Sequence, residues 1–459
     1  MTATALAAQT TTPKQPASTT STTTTTSTRA TEPVTAETDA DVANPRALKL
    51  TLDESLRTSM QRNLDVGINR YNYVMGGESL RSQYGLYDWF ADGTFQQNRQ
   101  KNATVSTFQA NESRTATMNL GIGQNLPAGG NYFLGVNNSR FTTSGGGTTV
   151  SPAYNPSLAF QATQPLLRNF GLDVTRRGIT IARNTLGIDQ ELFRQGLMDT
   201  TVSVEQAYLD LVYARRNVEV VKESLFLARD QSRITQIRID VGASAPLDIL
   251  QPRVQIATEE ENLILAVAAV RNAEDRLRAL MNLDPADWDR PIIPTDPVNY
   301  TPVNIDTNAA VVTALNTRPE LRQAALTTAT RDITYTYARN QRLPQLDFNM
   351  NYRAVGLAGR TAVFDPLTGL PTGTFTSTGY GTALQQVFST DFPTWTFGFT
   401  LGVPVTNIGA RAEAKRAQLD LDQSRLTQEQ LRQNIAVQVR GAVRDVDTAA
   451  KSIAATRAA

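Results

Sequence analysis

The sequence predicts a mostly helical α+β protein built from a duplicated helix–strands–long-helix unit. Three observations carry that prediction. Apolar residues recur at helical spacing from Leu52 onward, and in steps of seven from Leu197 to Leu225 and from Ile249 to Leu277. Residues within 88–166 and 343–405 alternate apolar and polar with period two instead. Short segments then return in the same order in both halves: Asn169-Phe170-Gly171 matches Asn407-Ile408-Gly409, and Asn63-Leu64-Asp65-Val66 sits where Arg318-Pro319-Glu320-Leu321 sits.

Composition narrows the function. The chain has 459 residues with 44 Lys and Arg against 43 Asp and Glu, a net charge of +1, which gives no basic stripe for a nucleic acid. Cys 0 excludes disulfides, thiolate metal sites and cysteine nucleophiles, and His 0 removes the commonest metal ligand and general base. No paired carboxylates, phosphate loop or catalytic triad has convincing spacing, so neither an enzyme nor a cofactor is expected. The longest apolar run, Leu263 to Val270, is far short of a helical membrane span. The strands of a membrane barrel alternate and would escape such a scan.

The elements follow in order. Residues 1–47 are rich in Thr, Ser and Pro, including the run Thr22–Thr26, and are expected to be disordered. Within them Ala5-Leu6-Ala7-Ala8-Gln9 reads equally as a plain tail or as the end of a signal peptide that begins upstream of Met1. Residues 48–87 form a helix, with Leu52, Leu56, Met60 and Leu64 on one face and a capping box from Thr51 to Glu54. Residues 88–166 carry strands with turns at Pro127–Gly130 and Gly145–Gly147. Residues 167–240 are a long helix whose seam sets a large row (Leu197, Val204, Leu211, Val218, Leu225) beside a small one (Thr200, Ala207, Ala214, Val221, Ala228). Residues 241–248 make a hairpin tip, where Gly242 suits the helix end and Pro246 the next first turn. Residues 249–283 return, with Pro252 predicting a kink or a later start. A proline-rich linker spans 284–307. The second unit has a helix at 308–342, strands at 343–405 around a Gly/Thr/Ser-rich loop at 356–390, and a second long helix at 406–459.

In the first half Met118, Leu120 and Ile122 form an apolar row. In the second, Leu346, Phe348 and Tyr352 form another, with Trp395, Phe397, Phe399 and Leu401 a third. Such faces ordinarily pack on a core, but no nearby segment is a plausible partner sheet. The opposite rows are Thr, Asn, Gln and Gly, which suit a wet lumen. The apolar rows are therefore read as the lipid-facing side of a transmembrane barrel. So few strands cannot close a barrel alone, so several chains must contribute.

At this point the residues resemble a family. Gln164-Pro-Leu-Leu-Arg-Asn-Phe-Gly171 resembles the segment that leads from barrel strand to long helix in the TolC-like outer membrane efflux proteins. Val241-Gly-Ala-Ser-Ala-Pro-Leu-Asp248 resembles their periplasmic hairpin tip, and Arg318-Pro-Glu-Leu321 the start of their second repeat. The resemblance spans about residues 48–459. It implies a homotrimer in the cell outer membrane, its barrel against the lipids and its α-helical coiled-coil tube in the periplasm. The implied function is a passive export conduit of a tripartite efflux or type I secretion system. The implied partners are a periplasmic adaptor and an inner-membrane pump or ABC transporter. Val241, Gly242, Ala243, Ser244, Leu247 and Asp248 would meet the adaptor. The alternative is a structural coiled-coil protein with a soluble β assembly domain.

Some features stay open. An apparent extra hairpin at 115–141 either raises the strand count above the family's four per chain and twelve per trimer, or sits outside the barrel. Asp248 either contacts the adaptor or pore mouth, or offsets a helix dipole. Arg168 either pairs with a carboxylate or snorkels. Gly171 and Gly242 are 71 residues apart, which places a second tip near position 480, beyond Ala459. The second long helix is thus expected to be incomplete, leaving Ile435, Val439, Ala442, Val446 and Ala449 partly uncovered.

Overall fold

Asn63 splits the first helical segment in two. Its backbone turns to φ −59°, ψ 132°, and its side-chain oxygen accepts hydrogen bonds from the Asp65 and Val66 amides at 2.8 and 3.1 Å. A side chain that satisfies the free amides of a new helix ends the old one. The single helix expected over 48–87 is therefore corrected to β1 (Leu48–Leu50), α1 (Leu52–Arg62) and α2 (Leu64–Tyr84). The capping box is present, Thr51 Oγ1 accepting from Glu54 N and the Glu54 carboxylate from Thr51 N. The computed structural model describes residues 44–101, 103, 111–144, 150–297, 301, 303–368 and 371–458. The readings for residues 1–43 and for the Gly145–Gly147 turn lie outside these.

Strands β2 (Phe90–Lys101), β3 (Glu112–Asn125), β4 (Asn131–Ser144) and β5 (Val150–Pro165) come next. The short α3 (Leu172–Thr175) precedes α4 (Arg177–Asp240), one helix of 64 residues. After the turn, a 3-10 stretch at Pro246–Ile249 leads into α5 (Leu250–Met281). Pro252 thus falls in the first turn, where its missing N–H breaks no helical bond, and the return helix starts late. Then follow β6 (Ile292–Pro294), α6 (Thr307–Thr317), α7 (Pro319–Asn340), β7 (Gln345–Val355), β8 (Ala358–Phe364), β9 (Pro371–Ser377), α8 (Tyr380–Phe388), β10 (Pro393–Gly402) and α9 (Ile408–Ala458).

Three further expectations change. The helix over 308–342 breaks at Arg318, whose φ −64°, ψ 125° is the extended geometry that a following proline imposes. The linker 284–307 contains β6 and a 3-10 turn at Pro285–Asp287. The loop 356–390 holds β8, β9 and α8, with Ala383 and Val387 of α8 buried.

The described chain divides into two compact units. One comprises the segment up to Leu50, Ala207–Leu277 and Asp284–Thr295. Here the second part of α4 is bridged to α5 by Arg215–Glu274 and Arg229–Glu260, each at 2.8 Å. The seam residues Leu211, Val218, Leu225, Leu263, Val270 and Leu277 are buried. β1 pairs in parallel with β6. Tyr208 Oη donates to the Leu50 carbonyl at 3.1 Å, and Ile292 N donates to Glu274 Oε1 at 3.1 Å. Glu274 is fully buried, so its charge is held by these donors and by Arg271 Nη1 at 3.5 Å.

The other unit comprises Thr51–Gln206, Arg278–Leu283 and Asp296 onward. It contains the main sheet, ordered β10-β7-β5-β4-β3-β2 with every neighbour antiparallel. Off that path β8 pairs with the outer end of β5 and with β9. Helices α7 and α9 pack through small residues, Ala338, Ala414 and Ala417, covered by Tyr335. Ile435 is buried, whereas Val446 is exposed. Among the described residues no helix is long and apolar enough to cross a membrane.

Candidate functional site: a two-faced sheet and a hairpin tip

Residues directly opposite in an antiparallel pair share a face, so the register sorts every side chain of the sheet. Trp395 lies opposite Tyr352, Phe397 opposite Met350, Phe399 opposite Phe348 and Leu401 opposite Leu346. Tyr352 continues to Phe160, Leu134 and Ile122, and Ala354 to Leu158, Val136 and Leu120. Met118 meets Phe95. The ten residues expected to face lipid therefore all lie on one side of one sheet, joined by Ala91, Gly93 and Phe95 of β2. That side is open: Phe95, Leu120, Trp395, Phe397, Phe399 and Leu401 are all more than half exposed. A contiguous apolar surface of this extent marks a surface that meets a partner or a membrane.

Aromatic and basic residues border the row. Trp89 meets Tyr132 edge-on at 5.7 Å at one margin, and the Arg140 guanidinium lies 5.8 Å from the Tyr154 ring at the other. Amphipathic rings at the rims of an apolar band suit the two interfaces of a bilayer.

The apolar row also slides along the strands. From Gly93 the rungs lead through Leu120, Val136, Leu158 and Ala354 to Pro393, yet the row on β10 is centred between Phe397 and Phe399, about five residues further on. That is about one residue per strand. At ~3.3 Å per residue and ~4.8 Å between strands, a level band requires strands tilted by roughly 35°, within the range of closed barrels.

The opposite face is polar and cross-linked. Asn119 Nδ2 donates to Thr94 Oγ1 at 3.1 Å, Thr163 Oγ1 to Asn349 Oδ1 at 3.1 Å, and Asn349 Nδ2 to Thr400 Oγ1 at 3.0 Å. Three aromatics, Phe90, Phe133 and Phe141, interrupt it. Phe90 and Phe133 stack at 6.4 Å, their rings lying over Gly123 and Gly121, where a Cβ would collide with them. Glycine here lets each ring lie flat on the sheet.

Arg168 reaches a carboxylate only through an amide. Its Nη2 donates to Gln345 Oε1 at 2.7 Å, and Gln345 Nε2 donates to Asp347 Oδ2 at 2.6 Å, so an amide relays it to the carboxylate.

The hairpin tip is built by its caps. Gly242 has φ +77°; Ala243 N donates to the Arg238 carbonyl at 2.7 Å and Gly242 N to that of Ile239 at 2.9 Å, a Schellman end to α4. Asp248 Oδ2 accepts from Ala245 N at 3.0 Å, which assigns that carboxylate a cap within its own turn. Val241 and Leu247 are each 72% exposed, and Gly242, Ala243 and Asp248 are exposed beside them, with Ser244 half-buried. Two apolar side chains thus flank a small, open surface.

β2 falls inside the stretch read as strands, 88–166, but was not singled out within it, and the buried Glu274 was not anticipated. The alternation Ala91-Gly93-Phe95 was the available signal for β2. The pair of Glu274 with Arg271 is an ordinary i,i+3 contact, and the partners that bury it, Arg215 and Ile292, come from elsewhere in the chain.

Residues 131–283 and 310–459 match the family model described as outer membrane efflux protein. The chain belongs to the outer membrane efflux protein family. The first matched segment begins at the first residue of β4, so β2 and β3 precede it. Toxin and drug export protein A of Aggregatibacter actinomycetemcomitans is 25% identical over 305 residues, 63% of this chain. The match spans 64% of that relative, just under two thirds of its length. Among solved structures, CusC is 14% identical with a TM-score of 0.60, covering 90% of this chain and 80% of its own. The CmeC outer membrane channel of Campylobacter jejuni is 15% identical with a TM-score of 0.58, covering 91% and 76%. The open-state MtrE outer membrane channel of Neisseria gonorrhoeae is 14% identical with a TM-score of 0.54, covering 88% and 75%. These structures share the α+β fold of this outer membrane efflux protein.

Proposed function

We propose that the chain is the outer membrane duct of a tripartite efflux or type I secretion system. Three copies form the duct, with the apolar face of the sheet toward lipid, the polar face toward a water-filled lumen and the helices in the periplasm. Transport through it is passive: the duct supplies a path, and an inner-membrane pump or ABC transporter supplies the energy. The tip, Val241 to Asp248, docks a periplasmic adaptor. The observation that carries this reading is the two-faced sheet, whose exposed aromatic row and cross-strand Asn/Thr ladder need different solvents on the two sides. Its slide of about one residue per strand supports the same arrangement. The relative named for toxin and drug export makes export the fitting direction of flow.

The test is expression in a Gram-negative host with fractionation, mass determination in detergent and single-channel recording in planar bilayers. Expected are recovery in the outer membrane, a trimer and a stable conductance. Recovery in the soluble fraction as a non-conducting coiled-coil assembly would replace the duct with a structural protein.

A further inference from the structure

The outer strands of the sheet each have a single partner among the described residues: β2 pairs with β3 and β10 with β7. This leaves open edges on strands of 12 and 10 residues. In hydrocarbon their free N–H and C=O groups need partners. Proteins that avoid edge pairing blunt such strands with prolines, charges or bulges. These edges are not blunted. Pro393 stands at the first position of β10, and Thr394–Gly402 carries no charge; β2 has no proline, and its charges, Asp92, Arg99 and Lys101, lie toward its ends.

The two edges also fit each other. Six strands alternate in direction along the sheet, so β2 and β10 run oppositely. The β2 edge of one copy therefore meets the β10 edge of the next in antiparallel sense, a head-to-tail contact that can close into a ring. The faces agree as well, apolar row continuing into apolar row. Resting on the trimeric duct described above, we propose that β2 of each chain pairs with β10 of the next copy, closing a barrel of eighteen strands, six from each chain. The hairpin made by β3 and β4 is then part of the wall, since it is hydrogen-bonded between β2 and β5. Carrying the slide of about one residue per strand across the seam places Phe95 opposite Phe397 of the next copy, and Gly93 opposite its Phe399. With strands ~4.8 Å apart and tilted ~35°, the wall is roughly 34 Å across, against roughly 23 Å for twelve strands.

The chain contains no cysteine, so introduced pairs report without background. Phe95→Cys combined with Phe397→Cys is purified as the full chain from outer membranes and mildly oxidised. Covalent dimers and trimers that collapse on reduction are expected, with weaker bridging when Phe95→Cys is combined with Phe399→Cys. Thr94→Cys with Gly398→Cys, on the same rungs, repeats the test without removing an aromatic. Phe95→Cys with Met118→Cys, opposite each other within one sheet, gives the intrachain control. Two results overturn the eighteen-strand wall while leaving the duct intact. One is a conducting trimer in which neither edge pair bridges between chains. The other is an interchain bridge between Val136→Cys and Phe397→Cys, which would mean that β2 and β3 peel away and β10 docks on β4. A chain that is neither trimeric nor inserted removes the duct itself, and the ring with it.

Discussion

Phe399 lies directly opposite Phe348 across β10 and β7, their ring centroids 5.5 Å apart at 51°. Both rings stand on the exposed apolar face. Replacing Phe399 with Arg near the bilayer midplane should cost about 2–4 kcal/mol of barrel stability, measured by urea unfolding in vesicles. Thr400→Arg, one residue on and on the polar face, should be far milder. Equal losses at the two positions would contradict the sidedness.

Gly242 holds φ +77° with open space where a Cβ would point. Gly242→Leu therefore meets backbone strain of about 1–2 kcal/mol and no clash. Helix content by circular dichroism and trimer mass should stay near wild type, while adaptor docking falls. A photocrosslinker placed at Ala243 or Ser244 should capture a periplasmic adaptor in cells. Capture of none would leave the tip without its assigned role.

Glu274 is fully buried and holds both Arg215 and the amide of Ile292. Glu274→Ala should cost about 3–5 kcal/mol, because the Arg215 guanidinium, only 15% exposed, loses its counter-charge. Hydrogen exchange should quicken at Ile292 first, ahead of the α4–α5 hairpin. Unchanged protection there would show that β6 is held by other contacts.

Burial pushes the Asp189 carboxyl above its ordinary range, its oxygen sitting where a Cβ on Gly76 would go. A raised carboxylate value means that the folded state binds the proton more tightly than the unfolded chain, so ionised Asp189 opposes folding. Asp189→Asn should therefore stabilise the protein at neutral pH. The advantage should shrink as pH falls through the raised value and vanish below the unfolded carboxylate range. Thermal melts from pH 7 down to pH 4 check this; an advantage that grows on acidification would reverse the sign.

Period-two rows were legible because each strand meets two different environments, so Trp395-Phe397-Phe399 and Thr396-Gly398-Thr400 sort themselves without a partner. The tip was legible for a similar local reason, Gly242 and Pro246 being backbone instructions. The break at Asn63 was hidden by an apolar spacing of four that runs straight through it from Leu52 to Leu64. The pairing of Leu48–Leu50 with Ile292–Pro294 joins two three-residue strands some 240 positions apart, which no local pattern encodes. Nor does any single strand say how many neighbours it has, so the place of β2 and β3 within the sheet emerged only from the register.

The paired breaks at Asn63 and Arg318 fall at matching places in the two halves. The helices before them have 11 residues each, and those after them 21 and 22. Yet one break is made by an amide side chain capping the next helix, and the other by a proline stiffening the residue ahead of it. The two halves thus keep matching segment lengths while different side-chain chemistry enforces each bend. A bend needs only a backbone geometry that several residue types can enforce, so segment lengths and bend positions can be kept with few residues in common, and structures 14–15% identical to this chain superimpose along most of it.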